Sequence, residues 1–214
     1  MVRVRFEASL KQLHDNLIKM AVMTEIAIDE VIRALENQDI DLAHKIISAD
    51  DQIDDMERKI ERDCINLLAT QAPVAKDVRL VASIMKMTTD IERIADHASD
   101  ISEIVLEIAQ EEYIWDISVI RRMSEFTRQM VKDAIRAHID KDITLAKNVL
   151  TCDKEVNILF DKAVGELNGL MKEDGKNVGQ GIKFLFISKY MERIGDHATN
   201  LAEWVMYNIT GDLA

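Results

Sequence analysis

Two stretches of this 214-residue chain set acids at a spacing that lets them share a positive ion. Glu92-Arg-Ile-Ala-Asp96-His97-Ala and Glu192-Arg-Ile-Gly-Asp196-His197-Ala are one heptamer written twice, differing only in Ala95 against Gly195. A Glu-x-x-x-Asp spacing puts both carboxylates on one face of a helix with their Cβ atoms ~6 Å apart. Like charges held that close repel by a few tenths of a kcal/mol on an exposed helix, so a counter-charge is expected. A divalent or ferric ion supplies one, because carboxylate oxygens bind hard and borderline metals. An arginine from a neighbouring chain supplies another. A solvated acidic face is the simpler account of either copy alone; the recurrence of Glu, Arg, Asp and His together favours a function.

On a helix turning ~100° per residue, the apolar seam through Ile91, Ile94 and Ala98 fixes the other directions. Glu92, Asp96 and Asp100 fall on the side away from that seam, and Glu192, Asp196 and Asn200 are their counterparts. His97 and His197 point ~100° from their aspartates, which keeps them off the same ion and predicts hydrogen bonds to an adjacent helix. Arg93 and Arg193 are expected to bridge acids on neighbouring helices, and Ala95 and Gly195 to allow close helix approach. Asp50 and Asp54 answer to Asp153 and Asn157; they are either further ligands or acids favoured early in a helix by its dipole. Glu25 and Asp29 form another Glu-x-x-x-Asp pair, but their counterparts are Arg128 and Lys132, so a solvated face is expected there.

The elements that must position these acids are helices. Leu10, Leu13, Leu17, Met20, Thr24, Ala27, Val31 and Ala34 alternate spacings of three and four, and Asp39 opens a break. Leu42 to Leu67 and Leu80 to Ile108 carry the next two stripes, separated at the single proline, Pro73. After "QEEYIWD" the plan repeats, with helices expected over 117–139, 142–173 and 179–209 and a turn at "KEDGKNVGQG". A shift of 103 superposes Ala34, Ile40, Leu42, Ala43 and Asp50 on Ala137, Ile143, Leu145, Ala146 and Asp153; past the second turn the shift is 100. The expected architecture is all-α: two tandem antiparallel three-helix bundles related by internal duplication, over residues 1–113 and 114–214.

Composition narrows the function classes. A formal charge of −12 opposes a phosphate backbone, so nucleic-acid binding is not expected. The amino terminus lacks a secretory apolar run, and no stretch approaches the ~18 uncharged apolar residues of a membrane span. A cytoplasmic protein without membrane insertion is expected. Cys64 and Cys152 read as separate reduced thiols. Glu-x-x-His pairs of the di-iron kind, phosphate-cradling glycine loops and nucleophile sets are lacking, so no enzymatic activity is expected. A carboxylate-metal protein that stores iron or runs iron redox chemistry stands as the alternative.

"QAPVAKDVRLVASIMKMTTDIERIADHASDISEIV" and the later "ISKYMERIGDHATNLAEWVMY" resemble the PhoU family of phosphate-uptake regulators along essentially the whole chain. The resemblance implies a cytoplasmic adaptor, peripheral at the inner face of the membrane through its partners, that negatively regulates the phosphate regulon. The implied partners are the ATPase subunit of the phosphate ABC transporter, a phosphate-sensing membrane histidine kinase and a second copy in a homodimer. Iron or zinc, with manganese as a further candidate, is the implied metal, held by Glu92, Asp96, Glu192 and Asp196; Asp100 and Asn200 form a weaker extension.

Overall fold

In the computed structural model, which describes residues 2–70 and 73–212 with side chains from Phe6 onward, the described residues form six long helices. They are α1 (Val2–Asn37), α2 (Ile40–Thr70), α3 (Ala75–Ile108), α4 (Ser118–Asp140), α5 (Ile143–Glu173) and α6 (Val178–Thr210), with a 3-10 turn at Gly175–Asn177 before α6. Met1, Gln71 and Ala72 (the first two of the family-like stretch), Leu213 and Ala214 lie outside that description.

The breaks have local causes, and the same ones in both halves. Gln38 and Lys141 each end a helix at φ 54°, the left-handed conformation that stops an α-helix. The next residue is then an N-cap: Asp39 Oδ1 accepts from the Leu42 N–H at 2.9 Å, and Asp142 Oδ1 accepts from the Thr144 and Leu145 N–H groups. Asp77 Oδ2 reaches back to the Val74 N–H at 3.3 Å at the start of α3. Gly211 ends α6 at φ 87°, where a side chain would be strained.

Helices α1–α3 pack on one another, as do α4–α6, giving the two expected bundles. The bundles join through α3 against α6, the most extensive helix contact in the molecule, and through α1 against α4. Helix α3 buries seventeen residues and α2 only six, which makes α3 a central helix with neighbours on nearly every side. The fully buried Ile84, Met87, Ile91 and Ile94 on α3 and Phe184, Ile187, Met191 and Ile194 on α6 form the heart of the two cores. Each such side chain stabilises the fold by roughly 1.5–3 kcal/mol relative to an exposed position.

The two bundles meet in antiparallel fashion, so duplicated positions face one another. Arg128, the counterpart of Glu25, pairs with Asp29 at 3.0 Å across α1 and α4, and Lys132 acts on Glu25. The Glu25–Asp29 pair is therefore an inter-bundle contact and not a purely solvated face. The connection after α3 also docks: Trp115 Nε1 donates to Glu166 at 2.8 Å, and Gln180 Oε1 accepts from the Ile114 N–H at 2.7 Å. Cys64 is buried, Cys152 is half-buried, and both are free thiols.

Candidate metal centre

Because α3 is hemmed in by α1, α2 and α6, the sector opposite its seam opens to water on one side only, with the Asp96 side chain 29% exposed. Glu92 and Asp96 look onto α2, where Asp50, Asp54 and Glu57 stand. One oxygen from each of Asp50, Asp54 and Asp96 lies within 4.8 Å of the others. Two oxygens bound to one ion at the usual ~2.0–2.4 Å are at most about 4.8 Å apart, so the three fit a shared cation. Glu92, 12% exposed at its side chain, borders the group. Its Oε2 and the Oδ1 of Asp50 are buried without a hydrogen-bond partner. Arg93 Nε approaches Glu92 Oε2 at 3.4 Å without hydrogen-bond geometry, and its Nη1 donates to Asp96 at 2.8 Å. Arg93 thus hydrogen-bonds an acid of its own helix and reaches the neighbouring α2 only through the charge of Glu57, short of the expected bridge.

The electrostatics follow from that crowding. Burial, then Asp96 and Glu57, push the Glu92 carboxyl up to about 7 against the pull of Arg93. Burial, then Asp96 and Asp54, push Asp50 up to about 6. Glu57 is also raised, chiefly by burial and then by Glu61. A groove that holds this many carboxylates at neutral pH takes protons or a metal ion to balance them.

The second copy is built differently. Asn157 stands where the first repeat has Asp54, and its amide donates to Asp153 Oδ2 at 2.7 Å. Lys189 replaces Thr89, pairs with Glu192 and lies over the Phe160 ring at 5.3 Å from its centroid. Phe160 in turn replaces Glu57. Glu192 pairs with Lys189 and Asp153 Oδ2 accepts from Asn157, whereas Asp153 Oδ1 is buried without a partner, and burial raises both Asp153 and Asp196; the second site thus differs from the first by its cation and its amide and keeps one orphaned carboxylate oxygen. The Asp54 to Asn157 change already stands among the sequence correspondences; extending the same shifts to Glu57 and Thr89 reveals Phe160 and Lys189 as well.

Asp100 and Asn200 lie elsewhere. Asp100 meets His97 Nδ1 at 3.2 Å, and Asn200 donates to Asp90 Oδ1 at 3.0 Å. Both therefore belong to the α3–α6 seam. There His197 Nδ1 lies 2.9 Å from Asp90 Oδ1, the expected bond to an adjacent helix, whereas His97 keeps to its own helix and stacks on Tyr190 at 5.3 Å. The rings of His97 and His197 stand 5.7 Å apart across the seam, each against an aspartate there and neither hydrogen-bonded to the groove acids Glu92 and Asp96. Gly195 answers the packing expectation: an added Cβ would lie 3.3 Å from Asp153 Oδ1 and 3.4 Å from Val156 Cγ1.

Comparison with known proteins follows the same duplication. Residues 17–105 and 120–205 each match the PhoU domain. The chain is 39% identical over 212 residues to a phosphate-specific transport system accessory protein PhoU homolog of Clostridium acetobutylicum, covering 99% of this chain and 97% of the relative. It is 31% identical to the accessory protein PhoU of Escherichia coli over 207 residues, 97% of this chain and 86% of the relative. The crystal structure of PhoU from Pseudomonas aeruginosa superposes with a TM-score of 0.94 at 33% identity, covering 97% of this chain and all of that one. The phosphate transport system regulatory protein PhoU from Streptococcus pneumoniae gives 0.91 at 26% identity, with 98% and 99% covered. With both repeats matched and the whole fold shared, the chain belongs to the PhoU family.

Proposed function

We propose that this chain is a non-enzymatic regulatory adaptor of phosphate uptake, acting by docking on the ATPase subunit of a phosphate ABC transporter and on a membrane sensor histidine kinase to hold phosphate-responsive genes down. The observation that carries the reading is the end-to-end match to phosphate-specific transport system accessory proteins. Docking is further supported by the exposed stripe of Val178, Ile182 and Phe186 on one face of α6, an apolar surface suited to a partner or to the second copy of a homodimer. Among the described residues no helix is long and apolar enough to cross a membrane, so membrane proximity would come through the partners.

The groove of Asp50, Asp54, Glu92 and Asp96 is proposed to hold one structural metal ion. Its donors are all carboxylate oxygens, a set that suits ferric iron, manganese or magnesium better than zinc, which favours nitrogen and sulfur ligands. The ion would supply the charge that lets the carboxylates stay ionised and would tie α2 to α3. The site around Glu192 and Asp196 carries Lys189 and Asn157 and is proposed to need none.

The test is deletion of the gene followed by phosphate uptake and phosphate-responsive transcription, with co-purification of the transporter ATPase from the complemented strain. Derepressed transcription at high phosphate, restored by complementation, is expected. Unchanged transcription at both high and low phosphate would overturn the adaptor role, and oxygen or peroxide turnover by the iron-loaded protein would establish the redox alternative instead.

A further inference from the structure

At the end of the molecule where α3 begins and α4 and α6 finish, Lys76, Arg79 and Lys141 line a cavity of about 390 Å³, with Asp77 and Asn208 beside them. Three cations around one cavity stand out in a chain of net charge −12. Among the described residues none of the three is paired with a carboxylate, and Arg79 Nε is buried without an acceptor. Asp77 is buried and engaged at the helix start, where it accepts from the Val74 N–H.

The internal duplication supplies a control. Lys76, Asp77, Arg79 and Lys141 answer to Lys176, Asn177, Gly179 and Gln38. Lys176, Asn177 and Gly179 line a cavity of about 480 Å³ at the opposite end, and there the positive charge is met by Glu107, Glu111 and Glu112. Lys183 pairs with Glu107, and Gln38 donates to the Glu111 carbonyl oxygen at 2.7 Å. A hundred residues after Glu107, Glu111 and Glu112 stand Tyr207, Gly211 and Asp212, so the first end keeps one acid of the three, Asp212, which does not line the cavity, and carries Arg79 and Lys141 in place of Gly179 and Gln38. Capping the carbonyls at the end of α6 is the ordinary duty of such cations, and Arg79 Cζ does lie 3.7 Å from where a Cβ on Gly211 would be. Capping would give the guanidinium a carbonyl acceptor, and among the described residues Arg79 makes no hydrogen bond through Nε or either Nη.

We propose that this cavity binds a multivalent oxyanion of the phosphate type, either free or as the phosphoryl end of a nucleotide. The planar guanidinium of Arg79 matches two oxygens of such a group, Lys76 and Lys141 act as point charges, and the start of α3 adds the positive end of its dipole. This site is distinct from the acidic groove and does not depend on the metal reading.

The experiment is isothermal titration of the full chain with orthophosphate, pyrophosphate and ATP at fixed ionic strength, with sulfate and chloride as comparators. It is repeated on Lys141→Gln and on Lys76→Gln combined with Lys141→Gln. Glutamine already occupies the equivalent of position 141 at the same φ, so these variants are expected to fold, and circular dichroism checks that they do. A saturable site is expected for at least one phosphoryl ligand, weakened roughly tenfold for each cation removed. Tighter binding of orthophosphate than of ATP identifies a free anion; the reverse identifies a nucleotide. Binding weaker than about 1 mM for all three, or wild-type affinity in the folded double variant, overturns the proposal.

Discussion

Replacing Glu92 with glutamine should stabilise the metal-free protein at pH 8 and leave it unchanged below pH 4.5. The unfolded carboxyl titrates near its ordinary 4.5, while the folded one is pushed up to about 7 by burial and by Asp96 and Glu57. A folded value above the unfolded one means the native state keeps its proton longer. Ionisation therefore costs stability as pH rises from about 4.5, and the cost is complete above about 7. At ~1.4 kcal/mol per tenfold change in the proton equilibrium the span is about 3 kcal/mol. Water on the open side of the groove screens part of it, so about 1–2 kcal/mol is expected to be recovered by the neutral isostere. Urea unfolding with chelator at pH 4.5 and pH 8 measures the difference. Glu192→Gln is the control: it removes the partner of Lys189, so it should gain nothing and lose up to about 1 kcal/mol. Adding manganese or ferric iron should reverse the sign at Glu92, because wild type then gains ligand-linked stability that the variant cannot match. Equal responses at Glu92 and Glu192, or a loss on Glu92→Gln in chelator at pH 8, would refute the claim that the first groove holds uncompensated charge.

Elemental analysis should find about one metal per chain; Asp54→Asn, which copies the second repeat, should remove it, and Asn157→Asp with Lys189→Thr should create a second site. His138 is buried at 3% exposure against His14, with 3.0 Å between ring nitrogens, and burial pushes it down to about 4. Its folded value lies below the unfolded 6.5, so stability is full above pH 6.5 and falls as pH drops towards 4; the His138 ring signals should not titrate above about pH 5 in a proton NMR series. Trp115→Ala should cost roughly 3 kcal/mol in urea unfolding, since the ring is 8% exposed, packs edge-on to Phe184 and donates to Glu166. Arg128→Ala, although it breaks a 3.0 Å ion pair with Asp29, should cost no more than about 0.5 kcal/mol, because both partners are about half exposed.

The fold was legible because the features that make it are local. The three-and-four spacing through Leu13, Leu17 and Met20 or through Ile91, Ile94 and Ala98 fixes which face is buried, and Asp39 and Asp142 mark helix starts by capping chemistry alone. Which helix an acid would face was not legible in the same way. A single helical wheel places Glu92 and Asp96 off the seam, but only the burial of α3 among three neighbours turns that sector onto α2. Asp100 shows the limit from the other side: it shares the stripe by spacing, yet the seam with α6 engages it with His97. Glu25 and Asp29 could not be matched to Arg128 and Lys132 by a repeat comparison that treats the copies as equivalents, because the match depends on their facing one another.

Duplication alone would make both halves present the same surface; the buried positions at the heart of the two cores differ only by exchanging one apolar side chain for another, as Ile84 for Phe184 and Met87 for Ile187, and the departures that change the chemistry of the grooves fall at charges. The buried Ile91, Ile94 and Ala98 have Met191, Ile194 and Ala198 as counterparts, all likewise buried. By contrast Glu57 becomes Phe160, Thr89 becomes Lys189, and Asp54 becomes Asn157, each change moving the second groove towards internal neutrality. At the helix ends the divergence runs the other way: Glu107 and Glu111 answer the lysines in one cavity, and Arg79 and Lys141 leave the other cationic. A core constrained by packing density tolerates few changes of volume, whereas a charge in a groove can change at a cost of about 1 kcal/mol. That difference in tolerance lets one scaffold carry two unlike charged sites, an acidic groove on the first bundle and a cationic cavity where the bundles meet, without disturbing the seam that holds α3 against α6.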